Sequence, residues 1–129
     1  MAYRIYLVDD DRFLLDLYAV KFKNAGHEVT ACSGAEELLA ILRKGGTAPD
    51  AILLDVIMPG LSGFDTLATI RKEKLAVGAK VIILSNQGQD TDLEKAKSLG
   101  ADGYIVKASA IPSEVLAETI RTIENGKKL

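Results

Sequence analysis

The 129-residue chain has no tryptophan, one histidine, one cysteine and three prolines. A lone Cys32 excludes an internal disulfide, and at the end of an apolar run it reads as a small buried hydrophobe. With one histidine and one cysteine, a zinc site lacks its usual ligands. His27, beside Gly26 in a turn, reads as a surface residue rather than a ligand or base. Sixteen Lys and Arg against eighteen Asp and Glu leave a formal charge of −2. That gives no basic surplus to draw a phosphate backbone, and no nucleic-acid partner is expected. No apolar stretch approaches the roughly 20 residues that span a bilayer. The first apolar run is short and ends in three aspartates rather than a cleavage site. No membrane partner is therefore expected, and cytoplasm is the expected compartment. Aromatics are 5% of residues, so the core should be aliphatic.

What remains is an ordinary globular composition, 48% hydrophobic and 26% charged. The length suits one domain over residues 1–129, with 125–129 read as a frayed tail. Apolar runs alternate with segments of helical period, and no repeat of 20–50 residues is present. Residues 12–24 carry Phe13, Leu17 and Val20, with Leu14, Tyr18 and Phe22 beside them, which predicts an amphipathic helix ending at Asn24-Ala25-Gly26. Glu28–Cys32 predicts a strand. Ser33 with Glu36, and Thr91 with Glu94, predict capping boxes that open two further helices. Met58-Pro59-Gly60-Leu61-Ser62-Gly63 predicts a turn-rich loop before a helix with Phe64, Leu67 and Ile70. Pro112 is expected in the first turn of a last helix. Strands alternating with helices imply right-handed βαβ crossovers and a parallel sheet covered on both faces, an α/β fold.

The chemistry gathers where the apolar runs stop. Ile5-Tyr6-Leu7-Val8 meets Asp9 and Asp10, Ala51-Ile52-Leu53-Leu54 meets Asp55, Val81-Ile82-Ile83-Leu84 meets Ser85, and Tyr104-Ile105-Val106 meets Lys107. In a parallel doubly wound sheet these ends share one edge, where ligands bind. Three carboxylates at close range repel unless a cation neutralises them, and Mg²⁺ takes hard oxygen ligands while leaving positions for phosphate oxygens. Asp55 is then a candidate nucleophile, since carboxylates form aspartyl-phosphate intermediates. Lys107 can balance the phosphoryl charge and Ser85 can hydrogen-bond one of its oxygens. Taken singly, each residue has a plainer reading: a helix-capping Asp9-Asp10-Asp11, a turn Asp55, a loop Ser85 and a solvated Lys107. Their joint position at the strand ends favours the site.

The ordered set Val8-Asp9-Asp10, Leu54-Asp55-Val56-Ile57-Met58-Pro59-Gly60, Leu84-Ser85 and Val106-Lys107 resembles the receiver domain of two-component response regulators, over the whole chain. The resemblance implies a flavodoxin-like (βα)5 fold with strand order 2-1-3-4-5 and Asp55 as phosphoacceptor. It implies Mg²⁺ held by Asp10, Asp55 and the Ile57 carbonyl, with Asp9 acting through water and Mn²⁺ able to substitute. Ser85 and Tyr104 are implied as the switch pair, with Lys107 sensing the phosphate. The implied donor is a histidine kinase or histidine phosphotransfer protein, and the implied output is a downstream protein on the surface of the fourth helix, fifth strand and last helix. Such a domain is no turnover enzyme on an external substrate, though it catalyses its own phosphorylation and dephosphorylation. A stand-alone, single-domain receiver is the expected type. Ala108 stands where the family has Pro, so the loop after the fifth strand is expected to differ.

Two rival functions use parts of the same pattern. A haloacid-dehalogenase-like Mg²⁺-dependent phosphatase wants a second Asp two residues after the first, where Ile57 stands. A receiver fold used only for docking would not need the complete acidic set. A flavin binder wants a Gly- and hydroxyl-rich phosphate loop where Asp9-Asp10-Asp11-Arg12 stands. The lifetime of a phosphoryl group on Asp55 is expected to depend on Ile57 and Gln87, two residues after Asp55 and Ser85. Bulky, apolar Ile57 would hinder an attacking water, and Gln87 could orient one.

Overall fold

A computed structural model of the chain describes residues 2–86 and 90–126. It alternates β1 (Arg4–Val8), α1 (Arg12–Asn24), β2 (Glu28–Cys32), α2 (Ala35–Lys44), β3 (Ala51–Asp55), α3 (Gly63–Lys72), β4 (Lys80–Ser85), α4 (Asp90–Ser98), β5 (Gly103–Val106) and α5 (Pro112–Asn125). The strands form one parallel sheet in the order β2-β1-β3-β4-β5. This is the flavodoxin-like order expected.

The central strands are apolar at nearly every position because both of their faces are covered. Ile52, Leu54, Val81 and Ile83 pack under Leu38, Phe64 and Leu67 of α2 and α3. Their neighbours Leu53, Ile82 and Leu84 face the other way, under Tyr18 and Phe22 of α1 and Val115 of α5. Period-two alternation thus sends successive aliphatic residues into two separate cores. Among the described residues no helix is long and apolar enough to cross a membrane.

Several local expectations are corrected. In α1 the core face is Leu15, Tyr18, Ala19 and Phe22, while Phe13, Leu17 and Val20 point outward. Both stripes have helical spacing, so periodicity alone could not tell which faced the sheet. The helix ends as expected, with Gly26 at φ +95°. Helix α2 begins one residue later than a Ser33–Glu36 box requires. Ser33 instead donates its N–H and Oγ–H to Glu37 Oε1 at 2.9 and 3.2 Å. Because α4 starts at Asp90, Thr91 lies inside its first turn and not at the cap position. His27 is half-buried: its Nδ1 accepts the Tyr3 N–H at 3.1 Å and its ring stacks on Tyr3. It is a structural tie rather than a free surface residue. Pro112 opens α5 as expected, with the Ile111 N–H donating to Glu114 Oε1 at 2.9 Å. Helix α5 continues through Asn125 to a left-handed Gly126. The rest of the expected frayed tail, 127–129, lies outside the described residues.

Candidate functional site

The carboxyl edge of the sheet carries the chemistry because each strand stops at the residue that matters. Asp55 is the last residue of β3 and pairs in register with Leu84, one residue short of Ser85. Ser85 ends β4 and pairs with Val106, which hands the chain to Lys107. Asp9 follows β1 directly, its N–H donating to the Cys32 carbonyl at 3.1 Å. Asp9, Asp55 and Ser85 are each at most 3% exposed, whereas Asp10 faces solvent.

The run Asp9-Asp10-Asp11 divides its labour. Asp11 caps α1, its Oδ1 accepting from the N–H groups of Phe13 and Leu14 at 3.1 and 3.2 Å. Asp9 turns inward. Its Oδ1 accepts the Asp11 N–H at 2.9 Å and its Oδ2 accepts from Lys107 Nζ at 3.0 Å. Asp10 is left to face the crevice mouth. One oxygen from each of Asp9, Asp10 and Asp55 lies within 4.8 Å of the others.

Lys107 reaches into this cluster with its side chain almost wholly buried. Its Nζ lies 2.9 Å from Asp55 Oδ1 as well as 3.0 Å from Asp9. The approach to Asp55 is an ion-pair contact off the hydrogen-bond direction, and Oδ1 is the one buried side-chain oxygen among the described residues with no directed donor. Burial pushes the Asp55 carboxyl up to about 6; Asp9 and Asp10 add to the rise and Lys107 opposes it. Burial works to lower the Lys107 ammonium, but its ion pairs with Asp55 and Asp9 outweigh that and hold it above its ordinary value. Three carboxylates around a single ammonium leave negative charge in excess, and with a buried oxygen short of a directed partner they form a cluster able to hold a metal ion.

Tyr104 is half-buried on β5 and packs against the core beneath α2 and α3. It stands opposite Ile83 in register, two residues before the Ser85–Val106 pair. Ser85 and Tyr104 therefore project to the same face of the sheet. Ile57 is 69% exposed in the loop after β3, beside the cluster. Gln87 lies outside the described residues. The Lys107–Ala108 bond is trans, and Lys107–Ser109 form a single 3₁₀ turn.

Two residues matter more than the sequence suggested. A Cβ on Gly63 would lie 2.2 Å from the Asp55 carbonyl oxygen. The start of α3 is thus seated directly on the backbone of the candidate nucleophile, where the Gly63 N–H donates to the Val56 carbonyl at 2.8 Å. A Gly opening a helix after a turn signal was visible, but the approach it permits was not. Ser62 caps α3, its Oγ accepting the Asp65 N–H at 3.1 Å. Tyr18 looked like one more apolar helix position. It is buried, and its phenol is raised chiefly by burial; Lys107 lowers it while Asp9 and Asp55 raise it, so its hydroxyl feels the cluster.

Comparison with known proteins bears on this edge. The family model of the response regulator receiver domain matches residues 5–121. PilH of Pseudomonas aeruginosa is 30% identical over 123 residues, covering 95% of this chain and 98% of that protein. The phosphate regulon transcriptional regulatory protein PhoB of the same species is 31% identical over 115 residues, covering 88% of this chain but 48% of PhoB. The chain spans about half the length of several further curated relatives. Among solved structures, a CheY-like receiver domain protein of Methanospirillum hungatei matches with a TM-score of 0.85 at 26% identity, covering 97% of this chain and 96% of that one. TrrA of Thermotoga maritima, in complex with Mg²⁺ and BeF, matches with a TM-score of 0.77 at 29% identity, covering 94% of this chain and 98% of that one.

Proposed function

The chain belongs to the response regulator receiver family, and from that premise we propose that Asp55 accepts a phosphoryl group from a histidine kinase or histidine phosphotransfer protein. Receivers are phosphorylation-dependent signalling switches rather than turnover enzymes on external substrates. The observation that carries the assignment is Asp55 itself. It is a buried carboxylate on a strand end, with an oxygen lacking a directed donor, facing Lys107 at 2.9 Å and two further carboxylates.

The transfer is simple to balance. An Asp55 carboxylate oxygen attacks phosphorus, a new O–P bond forms, and the donor leaves with the electron pair of its own bond to phosphorus. Lys107 moves from pairing two carboxylates to pairing the phosphoryl oxygens, so no bare ammonium is left in the crevice. Asp10 and Asp55 would hold Mg²⁺ with the Ile57 carbonyl, Asp9 would act through water, and Mn²⁺ could take the same oxygen donors. Bound there, the cation would neutralise charge on the carboxylates and the transferring group. The bound Mg²⁺ and BeF of TrrA support this choice of cation.

The switch is proposed to run through Ser85 and Tyr104, which share a sheet face. A phosphoryl group offers acceptor oxygens that Ser85 and Lys107 can bind only in the phosphorylated state, and such differential contacts can shift a two-state element. The readout surface is then α4, β5 and α5. There, Tyr104, Val106, Ser109, Glu114 and Glu118 line a hollow of about 270 Å³ suited to a downstream protein. A haloacid-dehalogenase-like phosphatase finds no support in the matched family, and Ile57 occupies the position of its second Asp.

Intact mass spectrometry tests the assignment. After incubation with a small phosphodonor and Mg²⁺, the wild-type chain should gain one adduct of about 80 Da, and Asp55→Asn should gain none. An adduct of equal stoichiometry on the variant would remove Asp55 as acceptor.

A further inference from the structure

Just before β1, at the edge of the sheet opposite the aspartates, Tyr3 ties three parts of the chain together. Its carbonyl accepts the Glu28 N–H at 2.9 Å, where β2 begins. Its hydroxyl donates to Glu124 Oε2 in the last turn of α5 at 2.8 Å. Its own N–H donates to Nδ1 of His27 at 3.1 Å, and the two rings stack with centroids 5.6 Å apart and planes 21° from parallel. His27 is held by α1 in turn, its N–H donating to the Phe22 carbonyl at 3.2 Å. One imidazole nitrogen is thus the acceptor through which α1, Tyr3 and the end of α5 are joined.

We propose that His27 is a pH-sensitive latch: neutral, it holds Tyr3 and through it the last turn of α5, and protonated, it loosens both. A nitrogen that accepts carries no proton, so Nδ1 can take the Tyr3 N–H only in the neutral ring with its hydrogen on Nε2. Protonation sets an N–H on Nδ1 against the Tyr3 N–H, and two donors cannot bond. The surroundings oppose the charge: burial lowers the imidazole below its ordinary 6.5, and the amino-terminal charge lowers it further. The carboxylates of the neighbouring elements are engaged elsewhere. Glu28 of β2 pairs with Arg4 at 3.2 Å, Asp50 before β3 accepts the Arg4 N–H at 2.8 Å, and Glu124 of α5 holds the Tyr3 hydroxyl. On α1 the last-turn charges are Lys21 and Lys23, of the same sign as an imidazolium. With its folded pKa lowered, His27 contributes stability that is whole above about pH 6.5 and is lost as pH falls below it, because the unfolded chain takes the proton first. The latch does not depend on Asp55, whose raised carboxyl acts in the opposite sense and favours the folded chain in acid.

A nuclear magnetic resonance titration of the full, unphosphorylated chain tests the proposal, and its one histidine makes the ring signals unambiguous. The imidazole midpoint is expected below 6.5, with the Tyr3 amide signal moving along the same curve. Hydrogen-exchange protection over residues 120–125 should fall through the same pH range. The control is His27→Asn, whose side-chain carbonyl can accept the Tyr3 N–H but does not titrate. Between pH 7.5 and 5.5 the folding constant of the wild type, measured by chemical denaturation, should drop relative to that of His27→Asn. The drop is severalfold and at most about tenfold, the limit set by an unfolded pKa near 6.5. Asp55 and the other carboxylates titrate in both chains and cancel in the ratio. In His27→Asn, protection over residues 120–125 should no longer follow pH in this range. A midpoint at or above 6.5 overturns the latch, as does a Tyr3 amide that ignores the titration. So does a ratio of folding constants that stays the same at both pH values, or an α5 end whose protection in the wild type is the same at both.

Discussion

Asp55 combines burial with charge, and its chemistry can be separated from its contribution to stability. Its carboxyl is raised from an ordinary 3.8 to about 6. The folded chain therefore holds that proton more tightly than the unfolded chain does. Below about pH 4 both states are protonated and Asp55 costs nothing. The cost grows as pH rises through about 6 and is complete above it, with an upper bound of roughly 3 kcal/mol. In metal-free buffer, Asp55→Asn is expected to raise the unfolding free energy by ~1–3 kcal/mol at pH 8 and by little at pH 4, as read by chemical denaturation. Lys107 keeps Asp9 as its partner in that variant, so no buried cation is orphaned. An Asp55→Asn chain less stable than wild type at pH 8 would contradict the strained acidic cluster. Asp10, being exposed, should behave differently: Asp10→Ala is expected to weaken Mg²⁺ binding, followed by calorimetry, with the fold intact. Unchanged Mg²⁺ affinity would take Asp10 out of the metal set.

Residue-scale legibility in the sequence had a clear limit. Asp9, Asp10, Asp55, Ser85 and Lys107 could be picked out because each ends an apolar run, a one-dimensional signal. Nothing in one dimension says that Asp11 caps the helix while Asp9 turns in to Lys107, because that split depends on side-chain direction at a strand–helix corner. The role of Gly63 was hidden for the same reason.

Among the elements, the loop from β3 to α3 is proposed to govern how long a phosphoryl group persists and how firmly Asp55 is held. Gly63→Ala drives a methyl group into the Asp55 carbonyl, a backbone atom that cannot swing aside. The expected result is a loss of ~1–3 kcal/mol in stability together with slower phosphorylation at saturating donor. A variant that phosphorylates at the wild-type rate would mean that α3 does not seat Asp55. Ile57, exposed in the same loop, is too bulky and apolar to orient a water. Ile57→Asn is therefore expected to shorten the half-life of the phosphoprotein severalfold, with its formation rate little changed. An unchanged or longer half-life would end the water-access argument. Strand and helix order were readable because run length and period separate the two element types, and the runs at β3 and β4 are buried on both faces. The orientation of α1 was not readable, since two apolar stripes compete on it and only the packed sheet decides between them.

Across the whole molecule, two cores fix a rigid sheet, and the sheet presents its carboxyl edge as one site. Phosphorylation of Asp55, as proposed, would change charge at the centre of that edge, where β1 and β3 lead to the carboxylates and β4 and β5 lead to Ser85 and Lys107. The response should travel outward toward α4, β5 and α5, because Ser85 and Tyr104 lie on the same face two residues apart in register. Hydrogen exchange, compared with and without Mg²⁺ and beryllium fluoride as a phosphoryl mimic, tests this most directly. Protection is expected to change over residues 90–106, including Tyr104, as well as beside Asp9, Asp10 and Asp55, and Asp55→Asn should abolish both changes. Changes confined to the three aspartates would contradict the switch and leave only a metal site.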